Sequence, residues 1–145
     1  MGHVGVAVLV VASVFALSEK PKKPDGARAE REPDPCTHWQ GTVSGNDPSV
    51  RVTAMLCPVG DGRITGTLVW ESTRSGTNTR TLEGTQSGKT FSLRDLTVDG
   101  NPKNGWRFCK VDHYQLTLVG DSALEGTYHS SACNDDATVK LARIR

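Results

Sequence analysis

The chain has 145 residues, with 17 Lys and Arg against 16 Asp and Glu, a formal net charge of +1. A near-neutral balance of interleaved signs offers no basic stripe, which argues against nucleic acid or an anionic lipid surface as partner. Four cysteines in so short a chain point instead to a disulfide framework, and hence to an oxidising compartment.

Val4 to Leu17 (VGVAVLVVASVFAL) is an unbroken apolar run. It is shorter than the ~20 residues of a bilayer-crossing helix and matches a signal-peptide core. Small residues follow at cleavage spacing, Val14-Phe15-Ala16 and Ala16-Leu17-Ser18, although Met1-Gly2-His3 lacks the usual Lys or Arg. Residues 1–18 therefore read as a signal peptide, with a short membrane anchor as the alternative. Residues 19–35 are charged, rich in proline and without a large apolar side chain. Such a segment cannot bury enough surface to offset its ordering entropy and is expected to be a disordered linker. Either reading puts a domain at 36–145 outside the cytoplasm, secreted or periplasmic. A membrane enters only through the N-terminal segment, if it stays uncleaved.

Beyond Cys36 apolar residues recur with a period of two, and Gly, Asn, Asp and Pro punctuate the runs. The pattern predicts strands at His38–Ser44, Ser49–Cys57, Gly62–Trp70, Asn78–Gln86 and Lys89–Val98. Three more are predicted at Trp106–Val119, Ser122–Ala132 and Ala137–Ile144. The turns between them carry Gly45-Asn46-Asp47-Pro48, Gly60-Asp61-Gly62, Ser87-Gly88 and Gly120-Asp121-Ser122. Eight meandering strands with one apolar face would expose two sheet edges, and closure removes them. The expected fold is all-β: a single antiparallel eight-stranded up-and-down barrel, with a two-sheet sandwich as runner-up.

An internal echo supports closure. Trp39-Gln40-Gly41-Thr42, Ile64-Thr65-Gly66-Thr67, Leu82-Glu83-Gly84-Thr85 and Leu124-Glu125-Gly126-Thr127 share one pattern. Period two puts the apolar residue and the glycine on one face and the threonine on the other. Glycines on the concave face of four strands let a sheet coil tightly, or else open space for a ligand.

Hairpin register follows from the turns. Centring the first hairpin between Asn46 and Asp47 pairs Val43 with Val50, Gly41 with Val52 and Trp39 with Ala54. Cys36 then faces Cys57. Centring the seventh on Asp121 pairs Leu118 with Leu124, Leu116 with Gly126 and Tyr114 with Tyr128, and places Cys109 opposite Cys133. Facing residues are close enough for a disulfide, so the expected bridges are Cys36–Cys57 and Cys109–Cys133, each worth about 3 kcal/mol in a chain-entropy account. A zinc site would want paired Cys spacing that is absent. The second hairpin is expected to pair Leu56 with Ile64 and Ala54 with Gly66. A Ser87-Gly88 turn would set Phe91 over Gly84 and Leu82 opposite Leu93.

Trp39-Gln40-Gly41, Gly62-Arg63-Ile64-Thr65-Gly66-Thr67-Leu68, Leu82-Glu83-Gly84 and Lys89-Thr90-Phe91-Ser92-Leu93 carry a resemblance in their order along the chain. It resembles the small eight-stranded calycin barrels, avidin-like more than lipocalin-like. The resemblance implies a barrel. It does not imply biotin, because avidins carry a tryptophan on a late strand that here reads Leu124-Glu125-Gly126-Thr127-Tyr128.

Five inward aromatics, Trp39, Trp70, Phe91, Tyr114 and Tyr128, either line a ligand cup in the barrel mouth or fill the interior. His38, His113 and His129 point outward by parity. His113 and His129 should be cross-strand neighbours near Asp112, Asp135 and Asp136, a weak candidate for metal or for titration near neutral pH. An exposed surface pair is the plainer reading. No serine sits in a nucleophile elbow, and no cofactor is expected. Three functions remain open. The first is a non-enzymatic binding module for a small apolar molecule, which an open cavity above ~300 Å³ would favour. The second is an interaction or inhibitor domain that meets another exported protein, for example a secreted protease, through loops at Glu71–Thr77 and Asp99–Gly105. The third is an enzyme, which would need a cleft with His113 or His129 beside a carboxylate.

Overall fold

The computed structural model describes residues 35–48 and 50–145, so the expectations for residues 1–34 fall outside it. Alternating apolar residues drive eight antiparallel strands: β1 (Thr37–Ser44), β2 (Val50–Gly60), β3 (Arg63–Ser72) and β4 (Gly76–Ser87), then β5 (Thr90–Pro102), β6 (His113–Val119), β7 (Ala123–Ser130) and β8 (Asp135–Ile144). Each strand pairs with its sequence neighbours. β8 pairs with β1 from His38↔Ile144 to Ser44↔Thr138, so the sheet closes into a barrel and the sandwich is not formed. Inside lies one continuous core that includes Trp39, Val43, Val52, Leu68, Leu116 and Leu124. Each such aliphatic side chain stabilises the fold by roughly 1.5–3 kcal/mol on burial.

The four repeated glycines let the wall coil. A methyl group on Gly41 would stand 1.9 Å from the Lys140 carbonyl oxygen, and one on Gly126 would stand 1.9 Å from that of Gln115. Gly84 and Gly66 are as confined, at 2.0 Å from Ser92 O and 2.3 Å from Met55 O. Backbone presses on backbone at all four. The glycines serve curvature and close approach, and their missing side chains leave no ligand space.

Turn chemistry decides register, and two hairpins differ from expectation. In β2–β3 the pairs are Leu56↔Gly66 and Ala54↔Leu68, two residues from the expected register, with a bulge between Pro58 and Gly60. Asp61 and Gly62, at φ 53° and 70°, form the two-residue turn. Positive φ at both central residues is what a tight hairpin of this twist demands. In β4–β5 Ser87 pairs with Thr90, so the turn is Gly88-Lys89 and Gly84 faces Leu93 instead of Phe91. Parity survives both shifts, because a two-residue slip returns each side chain to the same face. The β1–β2 and β6–β7 registers are as expected, from Val43↔Val50 to Trp39↔Ala54 and from Leu118↔Leu124 to His113↔His129.

Both expected disulfides are present, Cys36–Cys57 with Cα atoms 4.1 Å apart and Cys109–Cys133 at 5.8 Å. The second forms for a different reason than ladder pairing. β6 begins at His113 and not at Trp106, and β7 ends at Ser130, so Cys109 and Cys133 lie in a loop and a turn. Val111 at φ 60° breaks the strand there. The expected loops shift as well. β5 continues through Pro102, paired with Gly76, and the β3–β4 connection shrinks to residues 73–75. The Ser72 hydroxyl closes that turn by accepting from Arg74 N and Ser75 N at 3.0 and 3.1 Å. The long irregular connection is therefore 103–112.

Replacing Gly126 with Ala should lower stability by about 3 kcal/mol in urea denaturation, because the new carbon meets fixed backbone. Gly41→Ala should behave alike. A loss below about 0.5 kcal/mol for either would mean the wall is looser than its register indicates.

Candidate functional site at the loop-bearing end

The barrel has two unlike ends. One carries the short β2–β3, β4–β5 and β6–β7 turns, and there Trp39 and Phe91 line a recess of ≈ 370 Å³ with Leu56, Ile64 and Leu118. Its floor is packed: Trp39, Leu56, Ile64 and Phe91 are all buried. The other end carries the remaining connections, including 103–112, and gathers Trp70, Tyr114 and Tyr128. Trp70 meets the Tyr128 ring edge-on at 5.3 Å between centroids, and Tyr114 lies 5.4 Å from Tyr128. The five aromatics are thus split between the two ends.

At the loop-bearing end the interior turns ionic. Arg80, on the inner face of β4, is buried and donates through Nη1 to Asp95 Oδ2 and Asp112 Oδ2, both at 2.5 Å. Its Nε donates to Asn78 Oδ1 at 2.9 Å, and its guanidinium lies 4.4 Å over the Trp70 ring. Asp112 also accepts from the Tyr128 hydroxyl at 2.7 Å, and its own amide donates to Asp95 Oδ1 at 3.0 Å. A bulge opposite Leu82 leaves Leu96 on the surface while Asp95 stays inside. Three buried polar atoms have no hydrogen-bond partner among the described residues: Trp70 Nε1, Asp112 Oδ1 and the Tyr114 hydroxyl.

The parity that placed Leu82, Gly84 and Leu93 inside also places Asn78, Arg80 and Asp95 there, and Asp112 shares the parity of Tyr114. Charged residues on a core face were the available signal, and apolar patterning passes over it. Asp112 is correspondingly absent from the histidine pair on the surface.

Burial shapes the titration of this cluster. Burial alone would lower the Arg80 pKa, but Tyr114, Asp112 and Asp95 outweigh it and the net shift is upward. Burial pushes the Asp95 carboxyl up, with Arg80 opposing. Both phenols are pushed well above their usual range, chiefly by burial, and in Tyr128 also by its hydrogen bond to Asp112.

A cavity of ≈ 50 Å³ lies between this cluster and the loops, lined by Trp70, Arg80, Tyr128, Trp106 and Phe108 among others. That is room for a few waters, at about 10–15 Å³ each, and far from the ~300 Å³ of a ligand pocket. The loops above it are stitched together. Ser72 Oγ donates to Asp47 Oδ2 at 2.6 Å, Lys103 N to Ser75 O at 3.1 Å, and Asn104 Nδ2 to Arg74 O at 2.8 Å. Arg74 stacks on Trp106, 5.3 Å from its centroid.

His113 and His129 pair across β6–β7 on the outer surface. His129 Nδ1 lies 2.6 Å from Asp136 Oδ1 and its Nε2 lies 3.2 Å from Ser131 Oγ. The order of groups is that of a proton relay. Yet the His129 and Asp136 side chains are 51% and 81% exposed on an open turn, where water screens them. Among the described residues no group of three or more His, Cys, Asp or Glu could hold a metal ion.

The fold is thus a closed eight-stranded antiparallel barrel with two disulfides, compatible with a calycin-like architecture. Compared with known proteins, the chain matches no family model, no curated protein and no solved structure.

Two consequences are measurable. Tyr114 and Tyr128 are the only tyrosines of the chain. Their folded pKa values are raised, so the stability they contribute is fully present below the unfolded value of about 10 and is lost as pH rises toward the folded values. In an alkaline titration, phenolate absorbance should therefore appear together with loss of the β-sheet circular dichroism. Ionisation near pH ~10 in an intact barrel would contradict the burial. Arg80→Met, which strands two buried carboxylates, should destabilise the domain by about 3–5 kcal/mol. Thermal unfolding reads this, and a loss below about 1 kcal/mol would show the cluster to be hydrated.

Proposed function

We propose that the domain is a non-enzymatic, exported interaction module that meets another protein through its loop-bearing end. The carrying observation is the filled interior. Side chains and the Arg80 cluster occupy the barrel, and the enclosed space is only ≈ 50 Å³. What the loop-bearing end offers a partner is a pinned surface: segment 103–112 is held by the Cys109–Cys133 disulfide, by Asp112 in the cluster and by Trp106 under Arg74. Loops on a rigid scaffold commonly carry recognition, and prior rigidity lowers the entropic cost of docking. Two disulfides fit an oxidising, extracytoplasmic setting.

A small apolar ligand is the second reading. It is supported by the ≈ 370 Å³ recess at the Trp39 and Phe91 end. The likeness to avidin-like barrels carries no ligand of its own, since the late-strand tryptophan is missing.

Native mass spectrometry of the domain purified from its own host separates these readings. The expected result is a co-purifying protein whose binding is lost in a Trp106→Ala, Arg107→Ala double variant that melts normally. A retained small molecule, with no loop-dependent protein, would overturn the interaction reading in favour of the ligand.

A further inference from the structure

The side chains of the Arg80 cluster do not complete one another's hydrogen bonds. Trp70 Nε1, Asp112 Oδ1 and the Tyr114 hydroxyl are buried without a partner among the described residues. Asp112 and Tyr114 are 0% and 1% exposed. All three side chains gather around Tyr128. Its ring lies 5.3 Å from that of Trp70 and 5.4 Å from that of Tyr114, and its hydroxyl donates to the other Asp112 oxygen at 2.7 Å. A buried polar atom without a partner is rare, because it forfeits the hydrogen bond that water gives it in the unfolded chain. Three of them around one ring point to a common guest.

The chemistry of the three atoms selects that guest. An indole N–H can only donate, a carboxylate oxygen can only accept, and a phenol does either. Burial pushes the Tyr114 phenol up, so it keeps its proton. A cation would offset the surplus of two carboxylates over one guanidinium, but it leaves the indole N–H unanswered. Nor do the described residues offer a group of three or more His, Cys, Asp or Glu for a metal ion. An anion would accept from the indole and be repelled by Asp112. A neutral hydroxylic molecule both accepts and donates. Size narrows the class further. The adjoining cavity, bordered by Trp70, Arg80 and Tyr128, measures ≈ 50 Å³, and a water needs about 10–15 Å³.

We propose that the Arg80 cluster is the binding site of a resident water, which accepts from Trp70 Nε1, donates to Asp112 Oδ1 and shares a hydrogen bond with the Tyr114 hydroxyl. The water ties together Trp70 on β3, Tyr114 on β6 and Asp112 at the end of segment 103–112. It is enclosed, so the two carboxylates still depend on Arg80 for their charge balance. The assignment concerns the interior alone and is independent of the interaction reading.

Oxygen-17 relaxation dispersion of the solvent signal tests this on the disulfide-intact full chain, because it counts long-lived internal waters and is blind to hydroxyl proton exchange. At least one such water is expected, and Tyr114→Phe should remove about one from the count. The same substitution should lower the melting temperature by about 3–6 °C, the effect of losing one satisfied hydrogen bond. Deleting a hydroxyl that lacked any partner would instead raise the melting temperature or leave it unchanged. No long-lived water, a count that Tyr114→Phe does not change, or a melting temperature that does not fall would each overturn the proposal. So would a melting temperature that climbs when sodium is exchanged for potassium or ammonium at constant ionic strength, which would mark a cation site. In the unaltered chain the Trp70 indole proton should also show a cross-relaxation peak to a long-lived water. Its absence overturns the proposal even where Tyr114→Phe fails to fold.

Discussion

Closure of the sheet on itself is the constraint on which everything else rests. An eight-stranded barrel is narrow, so its wall must coil until β1 can reach β8. Coiling brings the backbone of one strand against the next at Gly41, Gly66, Gly84 and Gly126, where a side chain would collide with a carbonyl. Once closed, every strand of the barrel has two neighbours, and every inward residue must share one small interior. A sequence able to close therefore also commits itself to a filled core.

That interior is not uniform along its axis. Toward the short turns it is aliphatic and aromatic. Toward the long connections Arg80, Asp95 and Asp112 replace hydrocarbon with charge. Buried ion pairs rarely stabilise a fold more than well-packed apolar groups would, so a positional role accounts better for this one. Asp112 is the last residue of segment 103–112, and its side chain and amide are both committed to the cluster. Holding it there requires the positive φ of Val111, an unfavourable conformation for a β-branched residue, with its apolar side chain left exposed. The cluster and the Cys109–Cys133 bridge thus pin the C-terminal half of the loop, and Arg74 and Ser75 pin the other half. A loop held in this way is fixed in position, as the interaction proposed for this end requires.

Two disulfides, a filled barrel and a stitched set of loops describe a molecule made to keep its shape in an oxidising environment. Its chemistry is sparse by comparison. The His129–Asp136–Ser131 arrangement has the connectivity of a relay but sits in open water, where neither the field nor the exclusion of solvent that catalysis relies on is present.

Side-chain alternation is a local property with a period of two, and what depends on it alone could be read in the chain: the eight strands, their inward faces and the registers of β1–β2 and β6–β7, with Cys36 brought opposite Cys57. The Cys109–Cys133 partners were also legible, although a loop and a turn, not a ladder, bring them together. Registers that hinge on a bulge, as at Pro58–Gly60, could not, because a two-residue slip preserves every face and leaves no trace in the pattern. The start of β6 was hidden likewise, since Trp106 and Phe108 share the parity of Tyr114 and Leu116, while Val111 at positive φ breaks the strand between them. For the site, the inward parity of Arg80, Asp95 and Asp112 was a signal that apolar patterning passed over, Asp112 being expected beside the surface histidines, and only the closed barrel decides that the three charges meet at one end. It also parts Trp39 and Phe91 from Trp70, Tyr114 and Tyr128. Sequence determined which face each residue takes; the tertiary structure decided how high along the barrel it sits, because height is set by turns, bulges and closure acting together across distant strands.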